Sequence, residues 1–179
     1  ALRAGGVTAA TPVPTGGEIL LRDGAEGKEP TGVLVDAAMA LIPVPPLPAS
    51  ELRRALLLAQ EHVLARGLVS VHEMGIGPEG DAALRALAAE GLLKLRVVGY
   101  ADEQWFASGQ GFPDMPDRAG EDARYELVGV KLYVDGALGS RGAALLRPYA
   151  DRPGHAGMLQ HAPEQLQALV SSAVEKFGK

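Results

Sequence analysis

Residues 127–142 have the sequence LVGVKLYVDGALGSRG, an apolar run that contains one lysine and leads into a glycine-rich loop. A continuous apolar run of this length is typical of a strand buried on both faces of a parallel sheet. We therefore predict a strand over residues 127–134 and name the segment that follows it, residues 136–142, the glycine loop. Lys131 lies inside the predicted strand, and a buried lysine needs a partner, a shifted pKa or a chemical modification.

Two interpretations of Lys131 follow from the pattern. Alternation along a strand places Lys131, Tyr133 and Asp135 on the same side, so Asp135 could simply pair with the lysine. In the other interpretation the desolvated neutral amine takes up CO₂ and forms a carbamate, a two-oxygen anion able to bridge two divalent metals. The residues alone leave both interpretations open.

The segments around this strand alternate between helix and strand patterns. They predict helices over 51–66, 80–90 and 162–176 and strands over 68–72, 95–100 and 127–134. Ser50 is the predicted N-cap of the first helix. Such a βα repeat fits either a doubly wound sheet or a (β/α)₈ barrel. Because a complete barrel takes ~250 residues, a barrel would be present only in part.

The N-terminal third differs in composition. Residues 1–49 are rich in glycine and proline, with short strand-like runs at 17–21 and 31–34 joined across an Asp-Gly turn, which predicts a hairpin. Residues 43–48 are mostly proline and predict an extended connector. We expect two parts, a Gly/Pro-rich excursion and connector over 1–49 and an α/β segment over 50–179.

The overall composition excludes several classes of protein. The 179 residues are 47% hydrophobic and 22% charged, with a net charge of −5 and no cysteine. A packed core is feasible, whereas nucleic acid or an anionic membrane would favour clustered Lys and Arg. The lack of cysteine excludes disulfides, Cys-bound zinc and thiol nucleophiles, and a cytoplasmic location is the expectation.

Both ends of the sequence have the pattern of cut elements. The chain begins with Ala-Leu-Arg-Ala rather than methionine, and it stops after the last predicted helix, where another strand is due. We expect an internal segment of a longer protein.

Three segments carry a resemblance to a known family. VKLYVDGALGSRGAALLRPY, at Val130–Tyr149, resembles a signature segment of the YtcJ-like branch of the amidohydrolase superfamily, the branch that includes N-substituted formamide deformylase. TGVLVDAAM at 31–39 and GLVSVHEMG at 67–75 resemble two further segments of that branch. The likeness covers nearly the whole chain and is most specific over residues 130–149.

The resemblance implies a distorted (β/α)₈ barrel, of which this chain would supply about strands two to four plus an inserted hairpin region. It also implies one or two divalent metals, usually zinc, whose activated water attacks a small-molecule amide. In this superfamily the ligands are a His-x-His pair, a carboxylated Lys or Glu on strand four, two further histidines and an aspartate. Only the strand-four position falls in this chain, at Lys131, so the chain would lack most of the metal site and we expect no activity from it alone.

The candidate site residues are therefore Lys131 as metal ligand, Asp135 as catalytic carboxylate and Arg141 as the group that binds a substrate carboxylate. For Arg141 a structural bond to a neighbouring carbonyl is an equal alternative. The less favoured candidates are expected to pack or to face solvent; they are His72, Glu73, Asp102, Trp105, Phe106, His155 and His161.

Two other functions stay open. The chain could be a non-catalytic, truncated barrel segment that binds no metal. It could also be a phosphate-binding α/β domain, an interpretation that rests only on Gly136, Gly139 and Gly142. A homodimer is a further open alternative.

Overall fold

The computed structural model describes residues 1–113 and 123–177, and the chain divides into two units by their internal contacts. The hairpin unit comprises Ala1–Pro45 and Tyr133–Leu166, and the sheet unit comprises Pro46–Leu132 and Gln167–Lys179. The predicted division of the chain into residues 1–49 and 50–179 stays a prediction.

The sheet unit is built on three parallel strands. These are β3 (Ser70–Ile76), β4 (Arg96–Ala101) and β5 (Tyr125–Val130), hydrogen-bonded in the order β3-β4-β5. The helices are α1 (Ala49–Leu64), α2 (Pro78–Ala89), α3 (Glu103–Ser108) and α4 (Pro163–Phe177), of which only the first three lie wholly in this unit. The predicted mixed α/β fold with a parallel sheet is confirmed.

The core of the sheet unit forms where one face of the sheet packs against the helices. Leu87 of α2 and Leu127 of β5 are fully buried there, together with Val97 and Trp105. A buried glutamine of α1 adds a polar connection, since the amide oxygen of Gln60 accepts the N–H groups of Lys94 and Leu95 at 2.5 and 3.1 Å. Its amide nitrogen donates to the Leu92 carbonyl at 3.1 Å. Gln60 thereby joins α1 to the segment that enters β4.

Two local predictions about the helices were wrong. Helix α1 begins at Ala49, and the Pro48 carbonyl rather than the Ser50 side chain closes its first turn by accepting the Glu51 N–H at 2.9 Å. The short helix α3, which contains Trp105 and Phe106, was not among the predicted helices, although both residues pack in the interior as expected. A helix of six residues is too short to produce a recognisable apolar period.

The hairpin unit contains the predicted antiparallel pair. Strands β1 (Gly17–Gly24) and β2 (Gly27–Asp36) are longer than their apolar runs, because the charged residues near the turn continue the ladder. Val7, Ile19 and Ala38 form a small core beside them. The second part of this unit, residues 133–166, is mostly irregular and contains a 3₁₀ turn at Leu138–Ser140.

None of the helices in the described ranges has both the length and the apolar content needed to cross a bilayer.

Candidate active site

The carboxyl ends of the three parallel strands meet at one edge of the sheet. The Lys131 N–H, directly after β5, donates to the Ala101 carbonyl at the end of β4 at 2.8 Å. The Asp102 N–H, directly after β4, donates to the Ile76 carbonyl at the end of β3 at 2.9 Å. Sites in parallel α/β folds form at this edge, so Lys131 and Asp102 lie where functional side chains are expected.

A β-bulge decides which way Lys131 points. Gly99 of β4 pairs with Leu127, whereas Tyr100 pairs with Gly129, so Val128 is an extra residue in β5. Leu127 faces the core, and simple alternation would have placed Lys131 on that same face. The extra residue moves Gly129, and with it Lys131, to the face that carries Tyr100. The apolar run thus accommodates a lysine because the bulge turns it away from the core.

The predicted strand over 127–134 was too long at its C-terminal end. Strand β5 ends at Val130, so alternation does not relate Lys131 to Tyr133 and Asp135. Lys131 belongs to the sheet unit and Asp135 to the hairpin unit. Lys131 is half-buried, and its Nζ donates to the Leu132 carbonyl at 3.1 Å.

A second bulge lies on the opposite side of β4. Gly75 of β3, at φ 124°, is the extra residue between the Met74–Tyr100 and Ile76–Ala101 pairs. Tyr100 is therefore flanked by a bulge on either side. Its ring covers Gly129, where an added Cβ would lie 2.8 Å from the ring, and it stacks on His72 with ring centroids 6.1 Å apart.

The other candidates in the sheet unit have structural contacts. His72 and Glu73 lie within β3 rather than after its end, and both are exposed. Asp102 caps α3, since its Oδ1 accepts the Trp105 N–H at 2.7 Å. An N-cap carboxylate of this kind satisfies an otherwise unpaired donor of the helix.

Asp135 is oriented by the backbone around it. Its Oδ2 accepts the Ala144 N–H at 2.9 Å, and its own backbone forms an antiparallel bridge with Leu159. The side chain is half-buried. These two contacts fix the position of the Asp135 side chain.

Arg141 already holds a carboxylate. Its Nε and Nη2 donate to the same oxygen of Asp151 at 3.1 and 2.5 Å, and the arginine side chain is 42% exposed. The hydrogen bond raises the pKa of Arg141 and lowers the pKa of Asp151. The partner is thus a carboxylate and not the backbone carbonyl of the alternative interpretation. A substrate carboxylate would have to compete with Asp151 for this guanidinium.

His155 makes two contacts beside the glycine loop that could not be predicted from the sequence. His155 Nε2 lies 2.8 Å from the Arg141 carbonyl oxygen, and its ring stacks on Tyr149 with centroids 5.9 Å apart. His155 is therefore half-buried rather than a surface residue as predicted. These contacts join positions of an irregular segment, where no periodicity indicates which residues meet.

The hairpin unit also contains an ion pair that sequence reasoning missed. Arg152 donates to both carboxylate oxygens of Glu18, at 2.9 and 2.5 Å. The hydrogen bond with Arg152 lowers the pKa of Glu18 below its ordinary value of 4.5. A bidentate pair in a partly buried place stabilises more than an exposed one.

We expect Glu18→Gln to destabilise the hairpin unit by about 1 kcal/mol at neutral pH. A depressed pKa in the folded state makes the contribution of Glu18 fully present above pH 4.5 and lost as the pH falls below that value. Hydrogen exchange of β1 amides, compared between variant and wild type at pH 7 and pH 3.5, measures the difference, which should be about 1 kcal/mol at the first pH and smaller at the second. Glu29→Gln is the matched control, because Glu29 pairs with Arg22 on the exposed part of the same hairpin. Equal effects of the two variants at pH 7 would contradict the prediction.

A metal site cannot be completed by this chain's described residues. Within 1–113 and 123–177, no group of three or more His, Asp or Glu side chains is arranged to hold a metal ion. Lys131 lies at the carboxyl edge of the sheet, a place that is compatible with a metal ligand. A divalent metal there would take most of its ligands from outside this segment.

Comparison with known proteins agrees with these features. The model of the amidohydrolase family matches residues 1–176. YtcJ of Bacillus subtilis (strain 168), provisionally named an amidohydrolase, is 34% identical over 187 residues, which are 98% of this chain and 33% of that protein. The protein LONG AFTER FAR-RED 3 of Arabidopsis thaliana is 29% identical over 188 residues, 97% of this chain and 31% of that protein.

Solved structures show the same likeness. An uncharacterized metal-dependent hydrolase from Pyrococcus horikoshii OT3 superposes with a TM-score of 0.69 at 27% identity, over 97% of this chain and 33% of that chain. One from Pyrococcus furiosus gives 0.68 at 26% identity, over 97% and 34%. The chain thus spans about a third of the length of the proteins it matches.

Proposed function

Because this chain belongs to the amidohydrolase family, we propose that it forms part of a metal-dependent enzyme that hydrolyses an amide-type carbon–nitrogen bond of a small molecule. The similarity to metal-dependent hydrolases over 97% of the chain supports the proposal. We further propose that the parallel sheet supplies about strands two to four of a (β/α)₈ barrel, with the hairpin inserted before them.

The position of Lys131 carries the proposal. It directly follows β5 at the carboxyl edge of the sheet, on the face away from the core. We assign it as a metal ligand in its carboxylated form, with zinc as the metal. When bound, a divalent metal supplies an activated water by lowering the pKa of that water.

We propose that two further residues act on the substrate. Asp135, with Oδ2 fixed by the Ala144 N–H, would accept or deliver a proton through Oδ1. Arg141 would bind a carboxylate of the substrate through the donors that now hold Asp151, because the two anions offer the same geometry. Arg141 would thereby orient the substrate without taking part in proton transfer.

The proposal is tested on the full-length protein. We expect elemental analysis to find one or two divalent ions per chain, and a panel of N-substituted formamides and anilides to be hydrolysed at a rate that falls on chelation and recovers with zinc. Purified protein without stoichiometric metal would favour the non-catalytic alternative instead.

The phosphate-binding alternative is less well supported. The Gly136 N–H donates to the Gly142 carbonyl at 3.2 Å, and the Gly142 N–H donates to the Ala137 carbonyl at 2.9 Å. These donors close the glycine loop on itself rather than pointing outward toward an anion. A cytoplasmic location, a homodimer and the lack of nucleic-acid or membrane partners stay predictions.

A further inference from the structure

Asp36, the last residue of β2, combines two unfavourable features. Its backbone has φ 48° and ψ −123°, a region that residues with a side chain rarely adopt. Its Oδ2 is buried and has no hydrogen-bond partner within the part of the chain that the structure describes. Strained backbone and unpaired buried oxygens persist only where the surroundings fix them, and they concentrate at functional places.

The hairpin core fixes Asp36 from both sides. Val35 before it and Ala38 after it are buried, and Asp36 itself pairs in register with Gly17 of β1. The next residue is also held, since the Ala37 N–H donates to the Gly16 carbonyl at 3.1 Å. The carboxylate therefore projects from a backbone that cannot relax without disturbing this core.

The carboxylate lies against the base of the glycine loop. A Cβ added at either Gly136 or Gly142 would collide with Asp36 Oδ2. By contrast, Gly139 at the tip of the loop has no atom within 4 Å of its Cβ position. Asp36 is thus one reason why the two ends of the loop are glycine, although it lies about a hundred residues away in the sequence.

The same loop carries Arg141, whose backbone is also left-handed at φ 61°. Arg141 directly precedes Gly142, and its N–H donates to the Leu138 carbonyl at 3.0 Å. A shift of the loop base would consequently rotate the direction in which the guanidinium points.

We propose that Asp36 is a positioning residue: its carboxylate fixes Gly136 and Gly142 and thereby sets the orientation of Arg141 toward the substrate. The part of this inference that concerns substrate rests on the proposed function. The part that concerns the loop does not, and the two can be measured separately.

A double-mutant cycle in the full-length protein tests the contact. Asp36→Gly removes the carboxylate and relaxes the backbone, because glycine accepts positive φ. We expect Asp36→Gly alone, and Gly142→Ala alone, each to speed the exchange of the Gly136 amide about tenfold. In the double variant, Gly142→Ala should speed the exchange of the Gly136 amide by less than about threefold beyond Asp36→Gly. The reason is that the Asp36 oxygen with which the alanine Cβ would collide is absent.

Gly142 is a better choice for the cycle than Gly136. At position 136 a Cβ would also lie 2.8 Å from backbone atoms of Gly142, which Asp36→Gly leaves in place. Gly139→Ala is the matched control and should leave the exchange of the Gly136 amide unchanged. Unchanged exchange in Asp36→Gly, or fully additive effects in the cycle, would overturn the proposal.

Steady-state kinetics test the effect on substrate. The probes are N-formylphenylalanine and N-(2-phenylethyl)formamide, which differ only in the carboxylate that Arg141 would bind. We expect Asp36→Gly to raise KM for the first about tenfold, while kcat, KM for the second and the metal content stay unchanged. Asp36→Asn, which tolerates positive φ and fills the same space, should restore the wild-type KM.

The outcomes separate the two proposals. An equal loss with both probes, together with a lower melting temperature, would show a merely structural role for Asp36. If the wild-type enzyme hydrolyses neither probe, these substrates are excluded from the proposed function, and the exchange cycle still decides whether Asp36 fixes the loop.

Discussion

In the full-length protein, Lys131→Ala is expected to fold, to bind less metal and to slow the proposed amide hydrolysis at least about a thousandfold, since a metal and its activated water supply several kcal/mol of transition-state stabilisation. The fold should survive because the bulge at Val128 turns Lys131 away from the core, so its loss leaves no cavity there. The measurements are metal per chain by elemental analysis, kcat/KM and the melting temperature.

Two further variants sharpen this experiment. Lys94→Ala is the control, because Lys94 lies in the same unit and its ammonium group donates to a nearby backbone carbonyl, that of Gly91 at 2.7 Å. Lys131→Glu provides a carboxylate at the same position and should retain more metal than Lys131→Ala. Full metal content and turnover in Lys131→Ala would show that Lys131 is not a ligand.

The second large effect is expected from Gln60→Leu, which should lower the free energy of unfolding of the sheet unit by about 3 kcal/mol. Leucine fills a similar volume but leaves the buried N–H group of Leu95, and the part-buried N–H of Lys94 and carbonyl of Leu92, without their partner. Each buried polar group left unpaired costs about 1–3 kcal/mol, which outweighs the gain from burying an apolar side chain.

Hydrogen exchange of the β4 amides measures this effect, with an expected acceleration of about a hundredfold. Gln104→Leu is the control, because Gln104 is exposed on α3 of the same unit. An acceleration below about threefold in Gln60→Leu would mean that water replaces the lost amide and that the connection to β4 does not depend on it.

The sequence predicted those parts of the fold in which the pattern of apolar residues follows the packing of strands and helices. The parallel order of the sheet and the N-terminal hairpin followed from such runs. The end of β5 did not, because Leu132, Tyr133 and Val134 are as apolar as a strand although the ladder stops at Val130. Hydrophobicity indicates whether a side chain is buried, whereas a strand ends where its backbone no longer hydrogen-bonds to a neighbouring strand.

The candidate site was predicted in the same partial way. The residues predicted that Lys131 belongs to a buried strand, but its place directly after the strand end was missed, and its direction depends on an extra residue, Val128, that looks like any other strand residue. The Glu18–Arg152 pair joins residues 134 positions apart through irregular segments. Glycine at both ends of the loop, positions 136 and 142, indicates that another group lies close to the backbone there. Nothing in the sequence indicates that this group is the Asp36 carboxylate.

The bulge in β5 has a consequence for how this strand can change in evolution. In a regular ladder the side chains alternate between the two faces, so the number of residues between Leu127 and Lys131 decides which face carries the lysine. Deletion of Val128 would remove the bulge itself: Gly129 would follow Leu127 directly and still pair with Tyr100, so Lys131 would keep its face. Deletion of a second residue would leave one residue between Leu127 and Lys131 and would direct the ammonium group into the apolar layer beside Leu127. A one-residue loss at the bulge should therefore be tolerated, whereas a two-residue loss should abolish the site even when every functional residue is retained.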